Sequence, residues 1–279
     1  MICFAILAHA DAGIAASQIR NIRRYNADAE IVLYNGGTDP DFGSTLGVPV
    51  CPYSRPLQYG RLERFLLDTA LWLETERVGY DYLVGVDSDV LFVREGFEQA
   101  LRGAMSDADA MGVNMTMQRS PFELPHWIPG KMLWEEWDRW QPFFGTEGFC
   151  GTFNPMQVYT RDTIRRVLAD LTPARRSALE GLLASSRVFA LEELLLPTLA
   201  LRAGARIRSY PETMAAFVRC GEDMTWEELQ RALRTPEAYF LHPARRDAAD
   251  PVWRSLAPHC PKVSPQRSAN AGVHDASAV

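Results

Sequence analysis

Along the first ninety residues, short unbroken apolar runs alternate with stretches whose apolar residues recur every three or four positions. Ile2–Ala8 is continuously apolar and gives way to His9 and Asp11, the profile of a buried parallel strand. The next segment, 12–25, carries Ala15, Ile19, Ile22 and Tyr25 at helical spacing. Residues 30–34 read as a second strand running into the turn-forming Asn35-Gly36-Gly37. Leu62, Phe65, Leu66 and Leu73 mark one face of a helix expected over 60–78, and 82–86 form a third strand that stops at Asp87. This β-α-β-α-β order predicts an α/β fold with a mostly parallel sheet flanked by helices on both faces. Further strands are expected over 108–113 and 149–160, and helices over 161–168, 175–183, 191–203 and 226–233.

There is no internal repeat or interior low-complexity linker, so a single domain is expected over residues 1–261. Its first half, 1–93, carries the strand ends, and its second half is 94–261. From 262 to 279 the chain is rich in Ser, Ala, Pro and Gly without an aromatic residue, a composition expected to form a disordered tail.

The net charge of −6 argues against a nucleic-acid binder, which needs cationic surface to displace counterions. The apolar start lacks a basic region before it, and no run reaches the roughly 18 apolar residues of a membrane span. Five scattered cysteines without a CxxC pair read as reduced thiols. Together these features predict a soluble, cytoplasmic protein. Nearly every cation is arginine, with lysine only at Lys131 and Lys262, which suggests a GC-rich, bacterial genome.

Open α/β sheets bind ligands at the carboxyl ends of their strands. His9-Ala10-Asp11, Asn35-Gly36-Gly37 and Asp87-Ser88-Asp89 all fall at such ends. In an extended backbone, positions two apart point the same way, so Asp87 and Asp89 can face one cation together. Two carboxylate ligands suit Mg²⁺ or Mn²⁺, which leave positions open for substrate phosphates. A charged turn between two strands has the same composition. The apolar residues on both sides favour the site, because carboxylates at the rim of a buried sheet need a partner.

With these residues the chain resembles the GT-A fold glycosyltransferases, whose nucleotide-binding half carries a DxD motif after an apolar strand. Asp87-Ser88-Asp89 matches that motif, and Ile6-Leu7-Ala8-His9-Ala10-Asp11 is similar to the family's first strand and nucleotide-contacting loop. The opening and the late His-Pro are also similar to the core-2/I-branching N-acetylglucosaminyltransferases, many of which lack a DxD. The resemblance implies a GT-A, Rossmann-like mixed sheet, a divalent metal and a nucleotide-sugar donor, UDP-sugar by family frequency. Ala8, His9, Asp11, Asn35, Asp87, Ser88 and Asp89 would contact the donor, with Asp89 on the metal and Asp87 on the ribose or a water on the metal. His242 would complete the metal site, beside Arg245 and Arg246 for the diphosphate. A histidine at a strand end also needs no metal.

Inverting members of the superfamily place a carboxylate base in an xED-like motif, which Leu191-Glu192-Glu193-Leu194 resembles, with Glu193 at the base position and Glu192 the second choice. Acidic residues also favour the first turn of any helix. Gly151, in the segment Phe149-Cys150-Gly151-Thr152-Phe153-Asn154, is expected to line the donor-sugar pocket, although a simple glycine-rich loop has the same look. Trp127 and His126 are the acceptor candidates, because aromatic faces stack on sugar rings. Trp134 and Trp137 have helical spacing and are expected in the core. The implied partners are a nucleotide sugar and a small-molecule or glycan acceptor. The alternatives are a retaining GT-A transferase without a base, a DxD phosphohydrolase, a sugar nucleotidyltransferase and a non-catalytic carbohydrate-binding protein.

Overall fold

A computed structural model describes residues 1–256. The elements run β1 (Ile2–Ala8), α1 (Ala12–Tyr25), β2 (Glu30–Asn35), α2 (Arg64–Thr75), β3 (Tyr82–Asp87), β4 (Leu91–Phe92), α3 (Phe97–Ala104) and β5 (Ala110–Gln118). They continue as α4 (Ile128–Glu135), α5 (Trp137–Phe144), β6 (Phe149–Thr160), α6 (Arg161–Asp170), α7 (Pro173–Ser185), a 3₁₀ turn (Leu191–Glu193) and α8 (Leu195–Arg202). The last are β7 (Ile207–Ser209), α9 (Glu212–Ala215), α10 (Trp226–Arg234), β8 (Phe240–Leu241) and α11 (Pro251–Leu256).

Six strands form one sheet in the order β2-β1-β3-β6-β5-β7, with β4 and β8 pairing separately. Only β6 opposes the rest, pairing antiparallel with both β3 and β5. The expected α/β class and mostly parallel mixed sheet are therefore observed. Alternation along β1 shows why its sequence is apolar throughout. Cys3, Ala5 and Leu7 face one core with α2, while Ile2, Phe4 and Ile6 face another with α1 and α3. Helices on both faces leave no polar side.

Three expected boundaries shift for local reasons. The helix expected over 60–78 starts only at Arg64, because Gly60 stands at φ +71, outside helical space. The helix expected over 191–203 is split, so that α8 begins at Leu195. Pro197, lacking an N–H, sits in its first turn, where no intrahelical donor is needed. The strand expected over 108–113 extends to Gln118 through two irregularities, and Asn114 at φ +55 hides its alternation. The tail expected over 262–279 lies outside the described residues, as do the last residues of the expected domain.

Trp140 is fully buried, and Trp134 and Trp137 pack on Phe149, the core fate expected for them. No described helix is long and apolar enough to cross a membrane.

Candidate active site

A cavity of about 480 Å³ opens at the carboxyl ends of β1 and β3, lined by His9, Asp87, Ser88, Asp89, Glu192, Glu193, His242 and Arg246, among others. The turn after β3 is pinned from below. Gln18 on α1 donates through Nε2 to the carbonyls of Asp87 (2.6 Å) and Val90 (3.0 Å). The backbone N–H of Ala244 donates to the carbonyl of Asp89 (2.8 Å), which brings the segment after β8 against the turn.

Asp87, Asp89 and His242 each offer a ligand atom within 4.8 Å of the others, the group of this kind found among the described residues. His242 Nδ1 lies 3.0 Å from the carbonyl of Arg219. A carbonyl only accepts, so Nδ1 carries a proton, and Nε2 is left to present a lone pair to a cation or, in the imidazolium, a second proton to Asp89. That nitrogen stands 3.2 Å from Asp89 Oδ1, which is buried and has no other partner among the described residues. Asp89 Oδ2 takes Arg246 at 2.7 Å, and the same guanidinium reaches Ser88 Oγ at 2.9 Å. Burial, then the charge of Asp89, pushes the Asp87 carboxyl above its ordinary range. Burial pulls the His242 imidazole down, but the Asp89 contact outweighs it and the net direction is up. Both shifts describe a site short of positive charge.

Across the cavity, Glu192 and Glu193 point to different tasks. Glu192 Oε2 accepts from the backbone N–H of Leu62 (3.0 Å) and so ties down the loop before α2. Glu193 Oε2 accepts from Trp127 Nε1 (3.2 Å), and its Oε1 faces the backbone N–H of Asn154 (3.4 Å). Burial raises both carboxyls, Glu192 to about 7, and Glu193 to about 8 with added repulsion from Glu192. Ala190, just before them, holds the left-handed φ of 52°. Such strain in a non-glycine residue is usual at functional sites.

Asn154 connects the two acid groups, and sequence reasoning did not single it out. Its Nδ2 donates to both oxygens of Asp87, at 2.9 and 3.1 Å. The register opposing Val84 to Val158 carries the upstream part of β6 past the end of β3, which places Asn154 against Asp87. Gln157 then donates to Asn154 Oδ1 (3.3 Å) and to the carbonyl of Glu192 (3.1 Å). No local motif announces either amide; only the strand register does.

Several predicted residues sit elsewhere. Ala8 is buried in the sheet. Asp11 caps α1 by accepting from the N–H of Ile14 (3.0 Å), and Asn35 closes its own turn through Gly37 and Asp39. Arg245 and His126 are exposed and line neither cavity, while Gly151 and Trp127 line a second one.

No protein-family model matches the chain, and no curated protein matches it. Solved structures with a similar fold include an active-site mutant of LgtC, at 10% identity over 93% of this chain and 98% of that chain, TM-score 0.49. The galactosyltransferase LgtC with donor and acceptor sugar analogues matches at 10% identity over 91% and 82%, TM-score 0.43. Glucosyl-3-phosphoglycerate synthase from Mycobacterium tuberculosis, in complex with Mn²⁺ and UDP-glucose, matches at 13% identity over 58% and 57%, TM-score 0.36. At such identities and scores these likenesses say nothing of what this chain does.

Proposed function

We propose that the protein is a metal-dependent glycosyltransferase that moves a sugar from a nucleoside-diphosphate sugar, UDP-sugar first among them, to a hydroxyl of an acceptor. The observation that carries this reading is the convergence of Asp87, Asp89 and His242, with Asp89 Oδ1 and His242 Nε2 3.2 Å apart. Without a metal a proton on Nε2 bridges the two, which is why the His242 pKa is raised, and a divalent cation would take that proton's place. A carboxylate pair with one imidazole suits Mn²⁺ or Mg²⁺. The residues present therefore fit the metal.

Asp89, His242 and Asp87 would hold the ion, and Arg246 stands ready for the diphosphate once drawn from Asp89. When bound, the ion supplies positive charge to the departing nucleoside diphosphate. His9 lies on the same rim for the nucleoside. Asn154 fixes the Asp87 carboxylate, and Glu193, across the cavity, accepts the proton of the acceptor hydroxyl as the new bond forms. In this reading residues 1–93 supply most of the nucleotide side, residues from 94 onward supply the acceptor and donor-sugar side, and His242 and Arg246 reach back to the metal and the diphosphate.

A retaining transferase with the same donor site is the second reading. The burial that raises Glu193 to about 8 favours it, since a base must first lose its proton. The anomeric configuration of the product separates the two.

The test is calorimetric titration of UDP and GDP with and without Mn²⁺, followed by donor-hydrolysis assays on nucleotide sugars. Mn²⁺-dependent binding that Asp89→Asn abolishes without loss of fold supports the proposal. Full activity in excess EDTA removes the metal, and failure to bind or cleave any nucleotide sugar leaves a carbohydrate-binding protein.

A further inference from the structure

A second cavity, of about 710 Å³, adjoins the first. Phe153 and Cys220 line both, and Trp127, which walls the second, donates its indole N–H to Glu193 in the first. The hollow follows from the strands beneath it. Between Met111 and Thr116 the pairing of β5 with β6 shifts register twice, and Asn114 takes a left-handed φ. Bulges bend and splay a strand, and they occur beside active sites.

The walls differ in chemistry from those of the donor cavity. Met115, Leu124, Trp127, Phe153 and Val218 give them an apolar side, and Asn114, Thr116, Thr152 and Ser209 add uncharged polar groups. Arg219 brings the one charged side chain, but Glu228 holds its guanidinium at 2.9 Å, and the carbonyls of Glu222 and Asp223 take its other donors. Among the described residues no carboxylate lines this cavity, whereas the donor cavity carries Asp87, Asp89, Glu192 and Glu193. Leu124 stands 44% exposed, and its segment also shows Phe122 and Ile128, 84% and 60% exposed, to solvent.

We propose that the second cavity holds an apolar aglycone, so that the acceptor is an amphiphile: an alkyl or aryl group lies against Leu124, Val218 and the Trp127 ring, and the hydroxyl end reaches Glu193 past Phe153. This rests on the glycosyltransferase reading for the word acceptor, but not for the binding itself. Continuity with the donor cavity is what selects this occupant over an unrelated apolar ligand.

The probe is n-octyl β-D-glucopyranoside, kept below micelle formation, with methyl β-D-glucopyranoside as the control. Because Cys220 is exposed and belongs to the shared wall, its alkylation by iodoacetamide, read by peptide mass spectrometry, reports occupancy. Each buried methylene is worth about fourfold in affinity, so three of them predict a dissociation constant at least about tenfold lower for the octyl than for the methyl glycoside even after ordering costs. Leu124→Gln and Ser209→Trp should each remove the octyl advantage while Mn²⁺-dependent UDP binding, measured on the same samples, stays unchanged. Equal protection by the two glycosides, or an octyl advantage that survives both variants, overturns the proposal. Loss of UDP binding in the wild-type protein would sink the donor reading and leave this result standing.

Discussion

The indole of Trp127 donates to Glu193 Oε2 at 3.2 Å, and this bond joins the two cavities. The ring is seated by two glycines, because a Cβ on Gly130 or Gly151 would collide with it. Gly151 therefore acts on the site through Trp127, by leaving room for the ring that orients Glu193.

Trp127→Phe keeps the ring and removes the donor. That hydrogen bond favours the charged carboxylate, so its loss raises the Glu193 pKa further. If Glu193 works as a base, the acid limb of the kcat profile moves to higher pH. Turnover near pH 7 should fall about three- to tenfold and recover in alkaline buffer. A profile that drops without moving would show that the indole matters only for packing.

Asn154→Ala tests the amide that holds Asp87. Groups that orient metal ligands are typically worth about 10- to 100-fold in metal affinity. Mn²⁺ binding, followed by electron paramagnetic resonance of the free ion, should weaken by that factor. An unchanged Mn²⁺ affinity would mean that Asp87 needs no orientation, and would favour its placement on the ribose.

The fold and half of the site rim were legible because their signals are local. An unbroken apolar run ending in polar residues marks β1 and β3, and it delivers His9, Asp87 and Asp89 to one edge. The placement of His242 beside Asp89 depends on the β4–β8 pair and on the Ala244–Asp89 backbone bond, which no spacing encodes. Asn154, read only as the end of a segment lining the sugar pocket, and Gln157 could not be placed for the same reason: an antiparallel strand inserted between parallel ones decides what lies opposite Asp87. Glu193 was set ahead of Glu192 by resemblance alone, and the contacts that part them were not legible. A 3₁₀ turn sends one carboxylate to Leu62 and the other to Trp127, and sequence cannot say which. Asp11 and Asn35 also cap a helix and close a turn, work that spacing alone does not tell apart from ligand contact.

The buried acids also predict how stability depends on pH. Glu192 and Glu193 are raised from 4.5 to about 7 and about 8, so the folded state holds protons that the unfolded chain has released. Their contribution is present in full below about pH 4.5 and is lost as pH rises through 7 and 8. Glu193→Gln removes the charge that the buried site disfavours. At pH 8 the metal-free variant should be more stable than wild type by about 1–3 kcal/mol, and near pH 4.5 the two should nearly coincide. Urea unfolding at both pH values measures this, and an equal or lower stability at pH 8 would show that the carboxylate is ionised and satisfied in the fold.

The same substitution separates binding from chemistry. In the proposed function Asp87, Asp89, His242 and Arg246 hold the donor without Glu193, so in Glu193→Gln the UDP dissociation constant with Mn²⁺ should stay within about twofold. Turnover should fall by about 10²–10⁴ if Glu193 takes the acceptor proton. Glu192→Gln should do much less to the chemical step, because that carboxylate anchors the Leu62 backbone; its cost belongs in the order of the loop before α2, seen as a higher donor KM. Folded variants with matching circular dichroism are the control. Should Glu193→Gln keep most of its turnover and the product keep the donor's configuration, the inverting mechanism loses its base. The raised Glu193 pKa would then mark a protonated acid that donates a hydrogen bond, and the retaining reading would take its place.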